Sequence, residues 1–347
     1  MCIRDSNQLK GWSMEKDKTG LQTEQFIDEI SGGFRGSQVL MTANRLGIFE
    51  LLGESELTSQ QIAETLRTDP RATQILCNAL VGISLLERTA RGYRNTPVAL
   101  QHLLTSSPQS KTAMLKHGAR LYERWGHLYD SVTTGSPIPN EALNQQLVGG
   151  KQDFAKAMAD SARSSAAVTA EELDLGQAST LLDVGGGPGS FSIEFCSRNP
   201  QLSAVVMDDA ETLEVTTRNI ARAGMQDRIM TRSGDVFKDD MGCGYDFIFV
   251  SNLIHIYSAA ENRRLVERCA SAFVLGGRLG LKDFFLDNDR RGPQWSLLFA
   301  VNMLVSTENG DCYTLEEAEG WFEDAHLRYE ERIDLTKFSR LLVARKA

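Results

Sequence analysis

Several features that mark common protein classes are missing from this 347-residue chain. Its six cysteines are scattered, with no Cys-x-x-Cys pair or zinc spacing, which predicts reduced thiols in a cytoplasmic protein. It has no run of about 18 apolar residues and no signal-peptide hydrophobic segment, so no membrane helix or secretory leader is predicted. Its 37 basic residues form no long run and are outnumbered by 46 acidic ones, which argues against binding to nucleic acid or an acidic membrane.

What the chain does contain is ample apolar sequence, 41% of all residues, for full folded cores. We expect the leader at 1–23 to be disordered or non-native, because its first six residues read as a translated sequencing adapter and Met14 is a second candidate start. Changes of pattern then predict three further segments. These are a winged-helix domain at 24–105, a helical connector at 106–175 and an α/β domain at 176–347.

The 24–105 segment has the helix signals of a compact winged helix. A long, mostly apolar amphipathic helix region is predicted from Phe34 to Leu52. Thr58 or Ser59 is a candidate cap for a short helix, and Asp69 followed by proline opens another. Two short strands around a turn near residue 90 then predict the wing.

A winged helix suggests DNA binding, but its charge pattern here does not. The would-be recognition helix, Arg71 to Leu86, contains one basic residue and is mostly apolar. A buried packing surface is therefore favoured, and we expect a homodimer formed through 24–105 with no nucleic-acid partner.

The most informative motif is the glycine-rich turn at 185–189, which follows a buried strand and precedes a helical pattern. Strand, glycine turn and helix together bind nucleotide-like ligands at the carboxyl edge of an α/β sheet. A dinucleotide fingerprint needs glycine where Ser190 stands, and Asp183 would be a poor neighbour for a pyrophosphate. A carboxylate there suits a ligand with cationic ammonium and sulfonium groups. The predicted cofactor is S-adenosylmethionine, and a nicotinamide dehydrogenase is disfavoured.

From residue 180 onward, strand patterns alternate with helical ones, which predicts a mostly parallel sheet with crossover helices. The fold class is α/β, a seven-stranded Rossmann-like methyltransferase sheet with an N-terminal all-helical or winged-helix dimerisation domain. The predicted strands are 180–184, 203–208, 228–233, 245–250, 277–284, 327–333 and 338–345. The predicted helices of this domain are 190–198, 210–223, 259–273, 294–306 and 314–324.

Acidic residues stand where the second and third strands end. Asp208 can accept hydrogen bonds from ribose hydroxyls, whereas Asp209, just past the strand, is better placed to cap the next helix. After the third strand, Asp235 can accept from an adenine amino group while the apolar Val236 and Phe237 pack against the ring. A series of such strand ends supports an adenosine cofactor.

His255 follows the carboxyl end of the fourth strand, where ligands of open α/β sheets bind. A lone histidine is usually structural. This one lies where a methyl acceptor should stand, so the functional interpretation is favoured.

Together these residues resemble the class I O-methyltransferases of the caffeate/acetylserotonin type, over about residues 24–347. The motifs that carry the resemblance are Leu182-Asp-Val-Gly-Gly-Gly-Pro-Gly, Val206-Met-Asp, Gly234-Asp-Val-Phe, Ile254-His and Leu275-Gly-Gly-Arg-Leu. The resemblance implies that Gly185 and Gly187 approach the methionine part of the cofactor, and that His255 is the general base. It also implies that Asp283 orients the histidine and that Ser251 lies near the cofactor, where plant relatives usually carry lysine.

Two departures from the family pattern concern the base. Plant relatives follow the histidine with Asp-Trp, whereas this chain has Ile256 and Tyr257. The family's second supporting glutamate is replaced by Cys312, and Glu308 is the candidate substitute. With these changes the chain is still predicted to be a methyltransferase, but the identity of its acceptor is not predicted.

The expected reaction is methylation of a hydroxyl on a small acceptor, aromatic or polyketide-like, with His255 removing the hydroxyl proton. Because the leaving thioether is neutral, no metal is expected. The predicted acceptor pocket is flat and partly apolar, and the 106–175 connector contributes to it. Its candidate residues are Trp125, Phe154, Met158, Phe299, Asn302 and Met303.

Two alternatives stay open at this point. The same fold can methylate carbon or nitrogen. A winged-helix regulator could also sense the cofactor without catalysis, although the non-basic recognition helix speaks against it.

Overall fold

The computed structural model describes residues 24–139, 143, 158, 162 and 165–346. The predicted leader at 1–23 and the pocket candidate Phe154 lie outside the described residues. The chain divides into two compact units, Met1–Ala99 and Leu100–Ala347, and each is described by itself.

The first unit is helical with a small two-stranded sheet. Thr58 caps the fourth helix through a capping box with Gln61, and Asp69 caps the fifth by accepting from the Ala72 N–H at 2.7 Å. Both predicted caps are confirmed. The helices are Glu24–Gly32, Phe34–Leu46, Ile48–Leu52, Ser59–Leu66, Pro70–Gly82 and Pro97–His102, the last running into the second unit.

The region from Phe34 to Leu52 is not one continuous helix, which corrects the prediction. Gly47 has a φ of +81° and ends the Phe34–Leu46 helix in a left-handed turn. The chain then restarts as Ile48–Leu52, whose residues Ile48, Phe49 and Leu52 are buried. The C-cap at Gly47 ends one helix and changes the direction of the chain, and buried apolar residues continue in the next helix.

The predicted wing is present as two antiparallel strands, β1 (Leu86–Arg88) and β2 (Tyr93–Asn95). Asn95 is buried and its amide donates to the carbonyls of Phe49 and Gly53, both at 2.9 Å. The wing is thus tied to the Ile48–Leu52 helix and its C-cap Gly53 by the two hydrogen bonds of the Asn95 amide group.

The second unit contains a seven-stranded mixed sheet with strand order β5-β4-β3-β6-β7-β9-β8. Only β9 runs antiparallel to its neighbours, within the sheet as described. Its strands are β3 (Thr180–Val184), β4 (Ser203–Asp208), β5 (Ile229–Ser233), β6 (Tyr245–Ser251), β7 (Phe273–Asp283), β8 (Leu327–Asp334) and β9 (Arg340–Lys346). The predicted fold class and all seven predicted strands are confirmed.

Helices cover both faces of this sheet and bury two apolar clusters. One cluster includes Val250 and Leu281, and the other includes Phe195 and Phe249. Alternate residues of β6 therefore face opposite clusters, as the period of a strand requires. Helical residues occur at 165–172, and the helices of this unit whose bounds are described are Thr112–Trp125, Leu128–Thr134, Ser190–Arg198, Ala210–Arg222, Ala259–Ala272, Gln294–Ser306 and Leu315–Asp324.

β7 begins earlier than predicted, at Phe273 instead of residue 277. The prediction placed the strand after Gly276, whose φ is +78°. The structure instead accommodates that glycine within the strand, because the pairing of β6 with β7 is irregular between Tyr245 and Phe247. The functional end of β7, at Asp283, is unaffected.

Within the described residues, no helix has both the length and the apolar character that crossing a bilayer would require.

Candidate active site

The glycine turn after β3 is shaped by its neighbours at the carboxyl edge of the sheet. Gly185 has a φ of +64°, and a Cβ there would lie 2.9 Å from both methyl carbons of Leu253. Gly187 has a φ of +53°, and no heavy atom lies within 4 Å of where its Cβ would be. One glycine is therefore required by close packing, while the other leaves open space above the turn.

Asp183 lies beneath this turn and is fully buried. Its Oδ2 accepts from the Ser192 hydroxyl at 2.7 Å, and a Cβ on Gly186 would come within 2.6 Å of its carboxyl carbon. Burial raises the pKa of Asp183 to about 7, and the nearby charge of Asp208 adds to the rise. Asp183 thus lies against the backbone of the turn at Gly186 and is closed off from solvent.

Asp208, at the end of β4, links the glycine turn to the second strand. Its Oδ2 accepts from the Gly187 N–H and its Oδ1 from the Asp209 N–H, both at 2.8 Å. Burial raises the pKa of Asp208, although these two hydrogen bonds oppose the rise. Asp209 itself accepts from the N–H groups of Glu211 and Thr212. The sequence predicts that Asp208 serves the site and that Asp209 caps the next helix. The cap at Asp209 is confirmed.

The end of β5 presents an exposed carboxylate beside an aromatic corner. Asp235 accepts from the Phe237 N–H at 2.8 Å and pairs with Lys238, and both interactions lower its pKa. Val236 is buried in the core, and Phe237 is half-buried against the same cluster. Tyr257, where plant relatives carry tryptophan, packs edge-on against Phe237 with ring centroids 4.8 Å apart. We call Asp183, Asp208 and Asp235 around the glycine turn the acidic edge.

His255 and Asp283 form a buried pair on the other side of the turn. The Nδ1 of His255 lies 2.8 Å from the Oδ1 of Asp283, which also accepts from the Phe284 N–H. Since an ionised carboxylate only accepts, Nδ1 carries the hydrogen and Nε2 is the basic nitrogen. The structure therefore brings together the predicted base and its predicted orienting group, across the ends of β6 and β7.

An aromatic wall packs against His255. We use this name for Phe284, Trp295 and Phe299. The Phe299 ring stands edge-on to the His255 ring at 4.9 Å, and it stacks on Trp295 at 4.9 Å. Phe284 lies 4.4 Å from Trp295 and 4.8 Å from Phe299.

Sequence reasoning found Phe299 but missed the other two members. Trp295 precedes Phe299 by four residues on one helix, and Phe284 directly follows Asp283. Four-residue spacing on a helix places two rings on the same face, so a signal for Trp295 was present.

The other pocket candidates lie at different depths. The Trp125 indole N–H donates to the Asn302 Oδ1 at 3.0 Å, which joins the Thr112–Trp125 and Gln294–Ser306 helices. Met303 is buried, and Met158 is helical and half-buried. The structure thus brings Trp125 and Asn302 together, and Met303 is buried four residues after Phe299 on the same helix.

Glu308 lies in the loop that follows the Gln294–Ser306 helix. Glu308 is exposed and, with Arg124 and Ser306, lines a cleft of about 590 Å³; among the described contacts it has none with His255. Gly310 instead approaches the site, since a Cβ there would come within 2.3 Å of the His255 carbonyl oxygen. Cys312 is buried, and burial raises the pKa of its thiol, with the charge of Asp283 adding to the rise. Among the described residues, His255 has one carboxylate partner, Asp283.

The residues present fit an adenosyl cofactor with an amino-acid end. Gly187 leaves open space, Asp208 and Asp235 offer carboxylates at the ends of successive strands, and the buried Ser251 Oγ has no hydrogen-bond partner among the described residues. No group of three or more His, Cys, Asp or Glu side chains within the described parts of the chain is arranged to hold a metal. A seven-stranded sheet of this order with such an edge defines a Rossmann-like methyltransferase.

The family follows from comparison with known proteins. Residues 133–326 match the O-methyltransferase domain, and residues 28–105 match the O-methyltransferase dimerisation domain. The chain therefore belongs to the O-methyltransferase family and is an S-adenosylmethionine-dependent O-methyltransferase.

Individual relatives match most of the chain. A 3-hydroxy-5-methyl-1-naphthoate 3-O-methyltransferase from Streptomyces sahachiroi is 30% identical over 86% of this chain and 88% of its own length. Acetylserotonin O-methyltransferase from Bos taurus is 32% identical over 81% of this chain and 86% of its own. The crystal structure of human N-acetylserotonin methyltransferase in complex with SAM superimposes with a TM-score of 0.82 at 27% identity, covering 96% of this chain and 99% of that one.

Proposed function

We propose that this enzyme methylates a hydroxyl group on a small, flat, aromatic or polyketide-like acceptor, with His255 as the general base. The observation that carries the proposal is the buried His255–Asp283 pair facing an aromatic wall. Two relatives support the acceptor class, because their names specify a hydroxynaphthoate and acetylserotonin. A phenol-like hydroxyl on a ring suits a site that offers one base and several stacked rings.

His255 supplies the proton transfer. S-adenosylmethionine, when bound, supplies a methyl group on a cationic sulfur that becomes a neutral thioether. A phenol with a pKa of about 10 is mostly neutral at pH 7, so the Nε2 of His255 takes its proton as the oxygen forms its new bond. Asp283 holds the ring tautomer through Nδ1 and stabilises the imidazolium that results.

The acidic edge and the glycine turn would hold the cofactor. Asp208 would accept from the ribose, Asp235 from the adenine amino group, and Phe237 would pack against the base. Gly185, Gly187 and Ser251 would border the amino-acid end. The aromatic wall, Asn302 and Trp125 would hold the acceptor ring in line with the methyl group, which is a large source of rate enhancement.

The test is an acceptor screen with S-adenosylmethionine labelled on its methyl group. We expect label to enter phenols of one to three fused rings, and not their methoxy-capped analogues, which differ only at the hydroxyl. Amino-substituted analogues and mass spectrometry of the product distinguish O-methylation from N- or C-methylation. Labelling of the methoxy-capped compounds, or turnover that survives His255→Ala, would contradict the proposal.

We also propose that the enzyme is a homodimer formed through its N-terminal domain. That domain matches the dimerisation domain of the family, and its first two helices expose Ile27, Ile30 and Phe34. Light scattering should give twice the monomer mass of 38.4 kDa, and a monomer mass would exclude the dimer.

A further inference from the structure

Lys282 is a buried lysine at the carboxyl end of β7, directly before Asp283. Only 1% of its surface is exposed. Its ammonium lies 5.3 Å from the centroid of the Phe191 ring and 5.9 Å from that of Phe284. Burial lowers the pKa of Lys282 to about 8, against the opposing charge of Asp283, so the side chain is charged at neutral pH. A buried charge destabilises a fold unless it is well paired, so its contacts need an explanation.

The hydrogen-bond partner of this ammonium is Asn252. Lys282 Nζ donates to the Asn252 Oδ1 at 3.1 Å, and the Asn252 N–H donates to the Lys282 carbonyl at 2.8 Å. Asn252 has a φ of +53°, a left-handed conformation that asparagine tolerates better than most residues. Lys282 thus holds both the side chain and the backbone of a residue in an uncommon conformation.

Asn252 is the point where the chain leaves β6 and enters the active site. The next residue, Leu253, packs closely against Gly185 of the glycine turn. His255 follows in the short 3₁₀ turn Ile254–Ile256. The conformation of Asn252 therefore sets where the base stands relative to the glycine turn.

We infer that Lys282 is a positioning residue for His255, acting through its hydrogen bond to Asn252. This inference rests on the proposed role of His255 as base. It explains why a charge is buried at this place. Ser251 of β6 and Lys282 of β7 are partners in register. The ammonium reaches across from β7 to the turn after β6 and fixes that turn, which carries the base. Misplacement of a reacting group by about an ångström lowers rates by up to about a hundredfold.

The decisive variant is Lys282→Met, which keeps a long unbranched chain and removes the charge. We expect kcat to fall about ten- to hundredfold. The calorimetric Kd for S-adenosylmethionine should stay within about threefold, and the Tm of the ligand-free protein should be unchanged or higher, since apolar replacement of a buried charge is neutral or stabilising. Lys337→Met, at an exposed lysine in the turn between β8 and β9, is the matched control and should change none of these values.

Asn252→Gly tests the route, because glycine keeps the left-handed backbone and removes the amide acceptor. It should lower kcat as Lys282→Met does, and the double variant should be no slower than either single one. The inference is overturned by an unchanged kcat in Lys282→Met, by a lower Tm with normal kcat, or by additive losses in the double variant. If Lys282→Met does not fold, Asn252→Gly alone decides. Normal turnover in His255→Ala would overturn the proposed base instead, which separates the two failures.

Discussion

The acidic edge and the aromatic wall lie on opposite sides of the same glycine turn, yet they are built in different ways. In the acidic edge, Asp208 and Asp235 accept from backbone N–H groups and Asp183 accepts from the Ser192 hydroxyl. On the side of the aromatic wall the contacts join side chains to one another, and the Trp125–Asn302 hydrogen bond spans 177 residues.

This difference indicates that the acidic edge determines cofactor binding and that the aromatic wall determines which acceptor binds. Backbone-anchored carboxylates are set by the strand–turn–helix geometry itself, so they suit a cofactor that every member of the family shares. Packed rings depend on which side chains several helices present, so they suit an acceptor that differs from one relative to another. Changes on one side should therefore leave the other side intact.

The largest expected effect is that of His255→Ala. We expect kcat to fall by about 10²- to 10⁴-fold, because proton removal from the acceptor is lost. The Kd for S-adenosylmethionine, measured by calorimetry, should be unchanged, since the acidic edge is untouched. His326→Asn, at an exposed left-handed residue before β8, is the control and should keep full kcat. A parallel loss of cofactor affinity would show that the two sides are not separable.

The next effect concerns stability and comes from Asp183. Burial raises its pKa to about 7, so the folded chain holds this proton more tightly than the unfolded one. The stability that the protonated carboxyl contributes is therefore complete below about pH 4 and is lost as pH rises through 7, on the order of 4 kcal/mol. Asp183→Asn cannot ionise and can still accept from Ser192. The variant should gain Tm relative to the wild type between pH 4 and 7, and a pH-independent difference would contradict the buried carboxyl.

The parts of the fold and the site that could be predicted from the sequence are mostly those set by local sequence patterns. The strand ends and the Asp209 cap follow from local sequence patterns, whereas Asp283, 28 residues from His255, is assigned as its partner through the family resemblance. Trp295 was missed because rings at helical spacing look the same whether they line a core or a pocket. Phe284 directly follows β7 and belongs to no helical pattern.

Two further features could not be predicted because packing decided them. Glu308 was expected to support the base, but the loop turns at Gly310 and leaves it exposed. The contact of Lys282 with Asn252 depends on the register of β6 with β7, which no local pattern contains.

Asp208→Ala should weaken S-adenosylmethionine binding without changing the acceptor side. Loss of a charged hydrogen-bond partner costs about 1.5–3 kcal/mol, or about ten- to hundredfold in Kd. Asp209→Ser is the matched control, because serine also caps a helix and the neighbouring carboxylate is kept. In calorimetry the control should bind normally. Normal binding by Asp208→Ala would remove this residue from the cofactor site.

The smallest effect tests the aromatic side alone. Trp125→Phe keeps an aromatic ring, smaller than the indole, and deletes the hydrogen bond to Asn302. A neutral hydrogen bond contributes about 0.5–1.5 kcal/mol, so the KM for the acceptor should rise about two- to tenfold. The Kd for the cofactor should not move, because no residue of the acidic edge contacts Trp125 among the described contacts. Tyr122→Phe, an exposed residue on the same helix, loses the same kind of polar hydrogen and should leave the KM unchanged. If Trp125→Phe changed the cofactor Kd as much as the acceptor KM, the helices beside the aromatic wall would be supporting both ligands, and the separation between the two sides would fail.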